Sequence, residues 1–343
     1  MMNRPMPQTL LLHTADDWQT QLRVVVTSGQ QLLSMLGLHA RDVGLCEEAG
    51  RDFALKVPAA FVGRMRPGDP RDPLLLQVLA SRHELQEVPG YRRDPLQESG
   101  EANPRKGVIH KYRGRALLIV ASGCAVNCRY CFRRHFPYNA NRNSRTEWQE
   151  ALDYIADDGS IEEVILSGGD PLVATDAQIG QLVSQLAAIP HIRRLRIHSR
   201  MPIVIPTRVT AGLLEAITHP GLQTVMVVHC NHANEIDEPV GAALARMQHE
   251  GITLLNQSVL LAGINDDPGV LTDLSERLFA AGVLPYYLHL LDKVQGAAHF
   301  DVAESRGRAL VGEIGARLPG YLVPTLVRET PGARSKTVLQ PLY

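Results

Sequence analysis

From residue 116 onward, short apolar runs alternate with longer stretches in which apolar residues recur every three or four positions. The runs at 117–121, 163–167, 195–199, 224–229, 253–259 and 285–290 have the length and composition of buried strands. The segment 176–188 shows the other period: Ile179, Leu182, Val183 and Leu186 fall on one helical face. Helix starts are marked by Thr175-Asp176, by Thr210 and by Asp267-Pro268, where a side-chain oxygen can accept from an unpaired backbone N–H. Six strand–helix units in series predict an α/β fold with a parallel sheet and right-handed crossovers. Curled, that sheet is a partial (β/α)6 barrel; laid flat, it is a doubly wound sheet.

The first hundred or so residues lack this rhythm. They hold helix-like sequence at 18–36 and a Pro/Gly-rich loop, Arg66-Pro67-Gly68-Asp69-Pro70-Arg71-Asp72-Pro73. The division expected is an N-terminal helical region, 1–105, a barrel, 106–300, and a C-terminal segment, 301–343. At 343 residues, 45% hydrophobic and 21% charged, the chain can bury a sizeable core. A net charge of −1 gives no reason to expect a nucleic acid or an anionic membrane as partner. Tyr91-Arg92-Arg93 reads as part of a solvated loop. No apolar run reaches the ~20 residues that span a bilayer, and Leu10-Leu11-Leu12 is too short for a signal-peptide core.

The polar residues fall where a barrel would use them, after the strands. The second strand ends in Ser167-Gly168-Gly169-Asp170-Pro171 and the third in His198-Ser199-Arg200. The fourth ends in His229-Cys230-Asn231-His232. The fifth carries Asn256-Gln257-Ser258, and the sixth leads from His289 to Asp292. The first runs into Cys124-Ala125-Val126-Asn127-Cys128-Arg129-Tyr130-Cys131. Thiolates are the usual ligands of iron–sulfur clusters, and three of them leave one iron of a four-iron cluster open to a ligand. A zinc site would want a fourth Cys or His, for which His135 is the nearby candidate. The remaining cysteines, Cys46 and Cys230, are isolated and read as small buried hydrophobes. Five cysteines without a paired framework suit a reducing cytoplasm.

The C-x3-C-x2-C spacing, with Tyr130 before the last cysteine, resembles the signature of the radical S-adenosylmethionine (SAM) enzymes. The resemblance implies a [4Fe–4S] cluster on Cys124, Cys128 and Cys131, and the radical SAM type of partial barrel. It also implies an open iron that chelates SAM, which the reduced cluster cleaves to a 5′-deoxyadenosyl radical. Ser167, Gly168, Gly169, Asp170, Ser199, Arg200 and Gln257 would then line the cofactor site.

A longer set of segments is similar to the lysine 2,3-aminomutase family. It comprises Gly68–Pro73, His110-Lys111-Tyr112-Arg113-Gly114-Arg115, the cysteine loop with Arg133-Arg134, and Ser167–Pro171. It continues with Arg196–Arg200, Asn256–Leu260 and Glu329-Thr330-Pro331-Gly332-Ala333-Arg334-Ser335-Lys336-Thr337. By that resemblance Lys336 holds pyridoxal 5′-phosphate (PLP) as a Schiff base, and Arg115 belongs to the cofactor-binding set. Arg133 takes the substrate carboxylate, and Asp292 and Glu329 take the distal ammonium of L-lysine. The implied reaction turns (S)-α-lysine into (R)-β-lysine by radical 2,3-amino migration.

Three departures stand out. Glu329 replaces an aspartate, and Ala333-Arg334-Ser335 is less glycine-rich than the family segment. With Tyr343 as the last residue, the cysteine-bearing extension that supports a zinc-linked assembly in relatives is expected to be missing. The short form resembles the branch that makes (R)-β-lysine for elongation factor P. Expected partners are lysine and an electron donor such as flavodoxin or ferredoxin, with an oligomer possible. Two other readings stay open: the same chemistry with another fate or substrate (free β-lysine for another pathway, or a different amino acid), and a non-catalytic iron–sulfur electron carrier. The carrier would leave Lys336, Arg133 and the 167–171 segment without a use.

Overall fold

The computed structural model describes residues 17–141 and 145–342. The Leu10-Leu11-Leu12 run lies outside them. A short antiparallel ribbon joins β1 (Val25–Val26) to β2 (Val57–Pro58). Among the described residues the main sheet has nine strands in chain order. They are β3 (Val108–Tyr112), β4 (Arg115–Ala121), β5 (Glu163–Gly168), β6 (Arg194–Ser199) and β7 (Gln223–His229). β8 (Thr253–Val259), β9 (Leu284–His289), β10 (Thr325–Arg328) and β11 (Thr337–Val338) complete it. Every neighbouring pair from β4 to β10 is parallel, and β3 and β11 close the edges antiparallel.

The six runs expected as strands coincide with β4 to β9, and each is followed by a helix that returns the chain. The cap residues act as the sequence implies. Thr175 Oγ1 accepts from Gln178 N at 3.3 Å while the Gln178 side chain accepts from Thr175 N at 3.1 Å, starting the helix Asp176–Ala187. Asp267 accepts from Gly269 N and Val270 N at the head of Pro268–Ala280. The 18–36 segment differs from expectation. It forms two helices, Trp18–Arg23 and Gly29–Leu36, separated by β1. The β-branched run Val24-Val25-Val26-Thr27 favours the extended backbone, and Ser28 caps the second helix through Gln31 N.

The sheet is curled. Lys111 on β3 forms an ion pair with Glu329, the residue after β10. In a flat sheet those strands would stand about 34 Å apart, at ~4.8 Å per strand. Their contact decides between the two architectures in favour of the partial barrel. Its outer face is apolar: Leu118, Leu195 and Ile197 share one core with Ile179, Leu182 and Leu186 of the covering helix. Leu32, Phe61 and Leu74 of the N-terminal region join that same core. A second cluster, including Leu288, Leu310 and Leu326, closes the C-terminal side. Cys230 is fully buried, as read from the sequence; Cys46 is only half-buried, at the start of the helix Glu47–Asp52. Arg92 and Arg93 are exposed, although Arg92 N is tied to Lys293 O at 2.9 Å. Among the described residues no helix is long and apolar enough to cross a membrane.

Candidate active site

Alternate residues on the barrel strands turn inward, and many are polar: Arg115 on β4, Arg196 and His198 on β6, Gln257 on β8. They enclose a cavity of about 770 Å³, a size suited to small molecules. Every residue assigned above to the cluster, the cofactors or the substrate lines it, whereas His135 and the strand-end residues His232, Asn256 and Ser258 do not. The cavity is not confined to the strand ends. Arg115 stands at the start of β4, about 20 Å of strand before the cysteine loop that follows its end. Arg196 and Glu163, paired at 2.6 Å, line the same deep end.

The cysteine loop is fixed by a buried ionic frame. Arg129 is fully buried, and its Nε donates to Glu84 Oε1 at 2.9 Å. Arg200 reaches from the end of β6 to donate to Cys128 Sγ at 2.7 Å and to Tyr130 Oη at 2.9 Å. Glu235 and Gln77 hold the other arm of Arg200, at 2.9 and 2.7 Å. All three cysteines of the loop are free and half-buried. Burial, then the charge of Cys131, pushes the Cys124 thiol well above its usual range. Burial, then Cys128, pushes Cys131 up to about 11. Three neighbouring thiols become thiolates together only around a cation. Among the described residues no three His, Cys, Asp or Glu side chains converge on a single-ion site. The thiol set therefore fits a cluster of several irons better than one zinc ion. His135 turns away, with Nε2 at 3.2 Å from Gln295 O and no place on the cavity wall.

The Ser167–Asp170 segment is glycine-rich for a reason other than ligand approach alone. Gly169 N donates to Ala121 O at 2.8 Å and Asp170 N to Gly123 O at 2.9 Å, so the segment packs on the backbone that leads into the cysteines. A Cβ on Gly169 would meet the Gly123 carbonyl carbon at 2.7 Å. Gly169→Ala should therefore displace the cysteine loop. The expected loss of stability is about 1–3 kcal/mol, read by thermal melting, with lower iron content after reconstitution. The Asp170 carboxylate is saturated by protein donors: Ser199 Oγ at 2.7 Å, Leu172 N at 3.0 Å, Arg200 N at 2.8 Å and Met201 N at 3.1 Å. Asp170 and Ser199 thus hold β5 and β6 in register at the cavity wall.

Lys336 is placed by a hairpin. Thr330-Pro331-Gly332-Ala333 forms a turn closed by Ala333 N to Thr330 O at 3.1 Å, with Pro at its second position and Gly332 at φ +76°. β11 then pairs back on β10, with Arg328 opposite Thr337. The next residues outward, Glu329 and Lys336, meet with Nζ to Oε2 at 2.6 Å. Glu329 also pairs with Lys111. Burial opposes its charge, but the Lys336 and Lys111 ammoniums hold its carboxyl well below the usual carboxylate range. Asp292 has the opposite fate. Burial, then the charge of Glu329, pushes its carboxyl up to about 7.

Three histidines line the cavity between these ends. Burial lowers all three, His229 to about 4 and His289 to about 3, so they are neutral at pH 7. Nε2 of His198, His229 and His289 is buried with no protein partner. Such orphaned atoms fit a wall that receives polar ligands.

The structure brings the proposed anchors together: Arg133, the three cysteines, Lys336, Glu329 and Asp292 all line this one cavity. Sequence reasoning missed Glu98, Gln77, Glu235 and Tyr138. Tyr138 donates to Gly168 O at 2.8 Å from within the cavity wall. These residues lie in loops or short 3-10 turns, where no periodicity marks an inward side chain.

Residues 118–268 match the profile of the Radical SAM superfamily. The chain is 52% identical over 332 residues to L-lysine 2,3-aminomutase of Escherichia coli (strain K12), covering 96% of each chain. It is 46% identical over 335 residues to L-lysine 2,3-aminomutase of Haemophilus influenzae, covering 98% of this chain and 99% of that one. With L-lysine 2,3-aminomutase of Clostridium subterminale it shares 32% over 331 residues, covering 96% of this chain and 79% of that one.

Proposed function

Because the chain belongs to the lysine 2,3-aminomutase family of radical SAM enzymes, we propose that it converts (S)-α-lysine to (R)-β-lysine by radical 2,3-amino migration. The observation that carries this reading is that the three free cysteines and the Lys336–Glu329 pair line one and the same cavity. When bound, the cluster with SAM supplies a hydrogen-abstracting radical, and PLP holds the amino group that moves. Cys124, Cys128 and Cys131 would hold the cluster. Ser167, Gly168, Gly169, Asp170, Ser199, Arg200 and Gln257 would form the wall beside it. Arg115 would belong to the PLP end. Arg133 offers a guanidinium to the substrate carboxylate. Asp292 and Glu329 offer two acids to the distal ammonium. Residues 106–300 would thus carry the radical chemistry and 301–343 the PLP lysine.

Two features favour Lys336 as the PLP lysine over Lys111, which lines the same cavity. Lys336 has one carboxylate partner, Glu329, whereas Lys111 is held by both Glu98 and Glu329. Burial opposes its charge, but Glu98 and Glu329 hold the Lys111 amine above its usual range, and a neutral amine is what attacks a carbonyl. Borohydride reduction of the PLP-loaded protein should fix a pyridoxyl group on Lys336, found by peptide mapping. Label on Lys111, Lys293 or Lys56 instead would refute this assignment.

The reaction itself is tested by incubating the reconstituted, reduced protein with SAM, PLP and a panel of amino acids. (R)-β-lysine should form from lysine and from no other member. Product from another amino acid alone would overturn the substrate, and no product from any would favour the electron carrier. Within the same proposal, the reductant is a flavodoxin or ferredoxin, the site of action is the cytoplasm, and the product serves elongation factor P. The last point rests on resemblance to the branch that makes (R)-β-lysine for elongation factor P. It predicts that elongation factor P from cells lacking this protein is lighter by one β-lysyl group.

A further inference from the structure

Arg133 does not face the cavity alone. Glu98 Oε2 accepts from its Nε at 2.7 Å and Glu98 Oε1 from its Nη2 at 3.0 Å, a two-point contact that fixes the plane of a guanidinium. The same Oε1 accepts from Lys111 Nζ at 2.9 Å, and Lys111 in turn pairs with Glu329. Glu98 is 3% exposed and lines the cavity. One carboxylate therefore links Arg133, next to the cysteine loop, to Lys111 on β3 and through it to Glu329 beyond β10.

The chain is shaped to deliver this group. Glu98 lies in no helix or strand. The Asp94 carboxylate accepts from Glu98 N and from Ser99 N, both at 3.0 Å, and so clamps the backbone on either side of Glu98. Gln97, the residue before it, has φ +54°, the left-handed region that side chains other than glycine rarely adopt. That conformation is disfavoured for a residue with a Cβ and persists where surrounding contacts dictate it. Glu98 also leaves part of Arg133 available. It takes the Nε/Nη2 edge, while Nη1 makes only longer contacts, to Ser167 Oγ at 3.2 Å and Gly168 O at 3.4 Å. An incoming carboxylate can replace those two. Without Glu98 the long Arg133 side chain would have to be ordered by the substrate itself.

We propose that Glu98 is a positioning residue for substrate recognition: its carboxylate, bridging Arg133 and Lys111 inside the cavity, presents Arg133 in the orientation that receives the substrate α-carboxylate. The inference rests on the lysine reading given above and adds to it a residue outside the substrate and cofactor sets.

The test compares wild-type and Glu98→Gln holoproteins, loaded with iron, SAM and PLP. The readouts are lysine kinetics and inhibition by cadaverine, which keeps both amino groups of lysine but lacks its carboxylate. The expected result is a rise of about tenfold in KM for lysine, with kcat within about threefold and the inhibition constant of cadaverine within about twofold. A merely structural counterion would not separate the two ligands, so equal shifts for both, or no shift for lysine, would overturn the proposal. Where Glu98→Gln does not fold, Glu98→Asp decides by the same comparison. It keeps the charge but shortens the arm that makes the two-point contact. A wild-type protein that forms no β-lysine would sink the functional reading and this inference with it. A wild-type protein that does form it, beside a Glu98→Gln variant of unchanged KM, would sink the inference alone.

Discussion

The Cys128→Ala protein is expected to fold, to lose its cluster, and to show no SAM cleavage. Cys128 is half-buried, and its Sγ meets Arg200 Nη1 at 2.7 Å. Arg200 keeps Glu235, Gln77 and Tyr130 as partners when the sulfur is gone, so no buried charge is stranded by the change. The backbone frame of the loop, Cys131 N to Cys128 O at 3.0 Å and Arg129 N to Gln77 O at 2.8 Å, does not involve the side chain. Thermal melting should therefore change little. Iron, by contrast, loses one of three ligands, and content after anaerobic reconstitution should fall from about four atoms per chain towards zero. Cys230→Ala is the control, because that thiol is fully buried, donates to His232 O at 3.4 Å and lies outside the cavity wall. Retained SAM cleavage and unchanged iron in Cys128→Ala would remove the basis for the cluster assignment.

Much of this frame was legible before the fold was known, and the reasons are local. Strands β4 to β9 announce themselves as apolar runs because their outer faces pack on helices. Thr175, Thr210 and Asp267 mark helix starts because each accepts from a backbone N–H within three residues. The cysteines and the Pro331-Gly332 turn are readable for the same reason: spacing and turn chemistry are properties of a few adjacent residues. β3 carried a fainter signal, the Arg113-Gly114 turn with Gly114 at φ +84° joining it to β4. β10 and β11 are only four and two residues long, too short for a period to show.

What the sequence hid is what depends on distant pairing. The hollow interior had one trace: β6 reads Arg194-Leu195-Arg196-Ile197-His198-Ser199, an alternation that a parallel strand buried on both faces would not show. Glu98 had none. Its role comes from meeting a guanidinium 35 positions away and an ammonium 13 positions away, from a loop without regular structure. The Asp170 reading shows the converse. A carboxylate in a glycine-rich segment looks like a ligand contact, yet four protein donors already saturate it.

Substrate choice is tested most sharply at Asp292. It is buried in the cavity beside Glu329, and burial with that neighbouring charge raises its carboxyl to about 7. Below pH 7 the group is therefore mostly protonated and neutral; above it, mostly anionic. A ligand ammonium binds the anion better than the neutral acid, so KM for lysine should rise as pH falls through 7, by about tenfold per unit where one proton is exchanged. Asp292→Asn should raise KM and flatten that dependence, since no proton is left to compete. The expected loss is about 3 kcal/mol, or about two orders of magnitude in kcat/KM, the scale for removing one partner of a buried pair. Glu329 cannot compensate, because Lys111 and Lys336 already draw on its charge. Asp292→Lys should go further and abolish lysine turnover, because it sets an ammonium where the ligand ammonium would bind. SAM cleavage without substrate should persist in that protein. If Asp292→Lys turns over lysine at the parent rate, the acidic pair does not select the substrate, and the distal ammonium must be recognised elsewhere in the cavity.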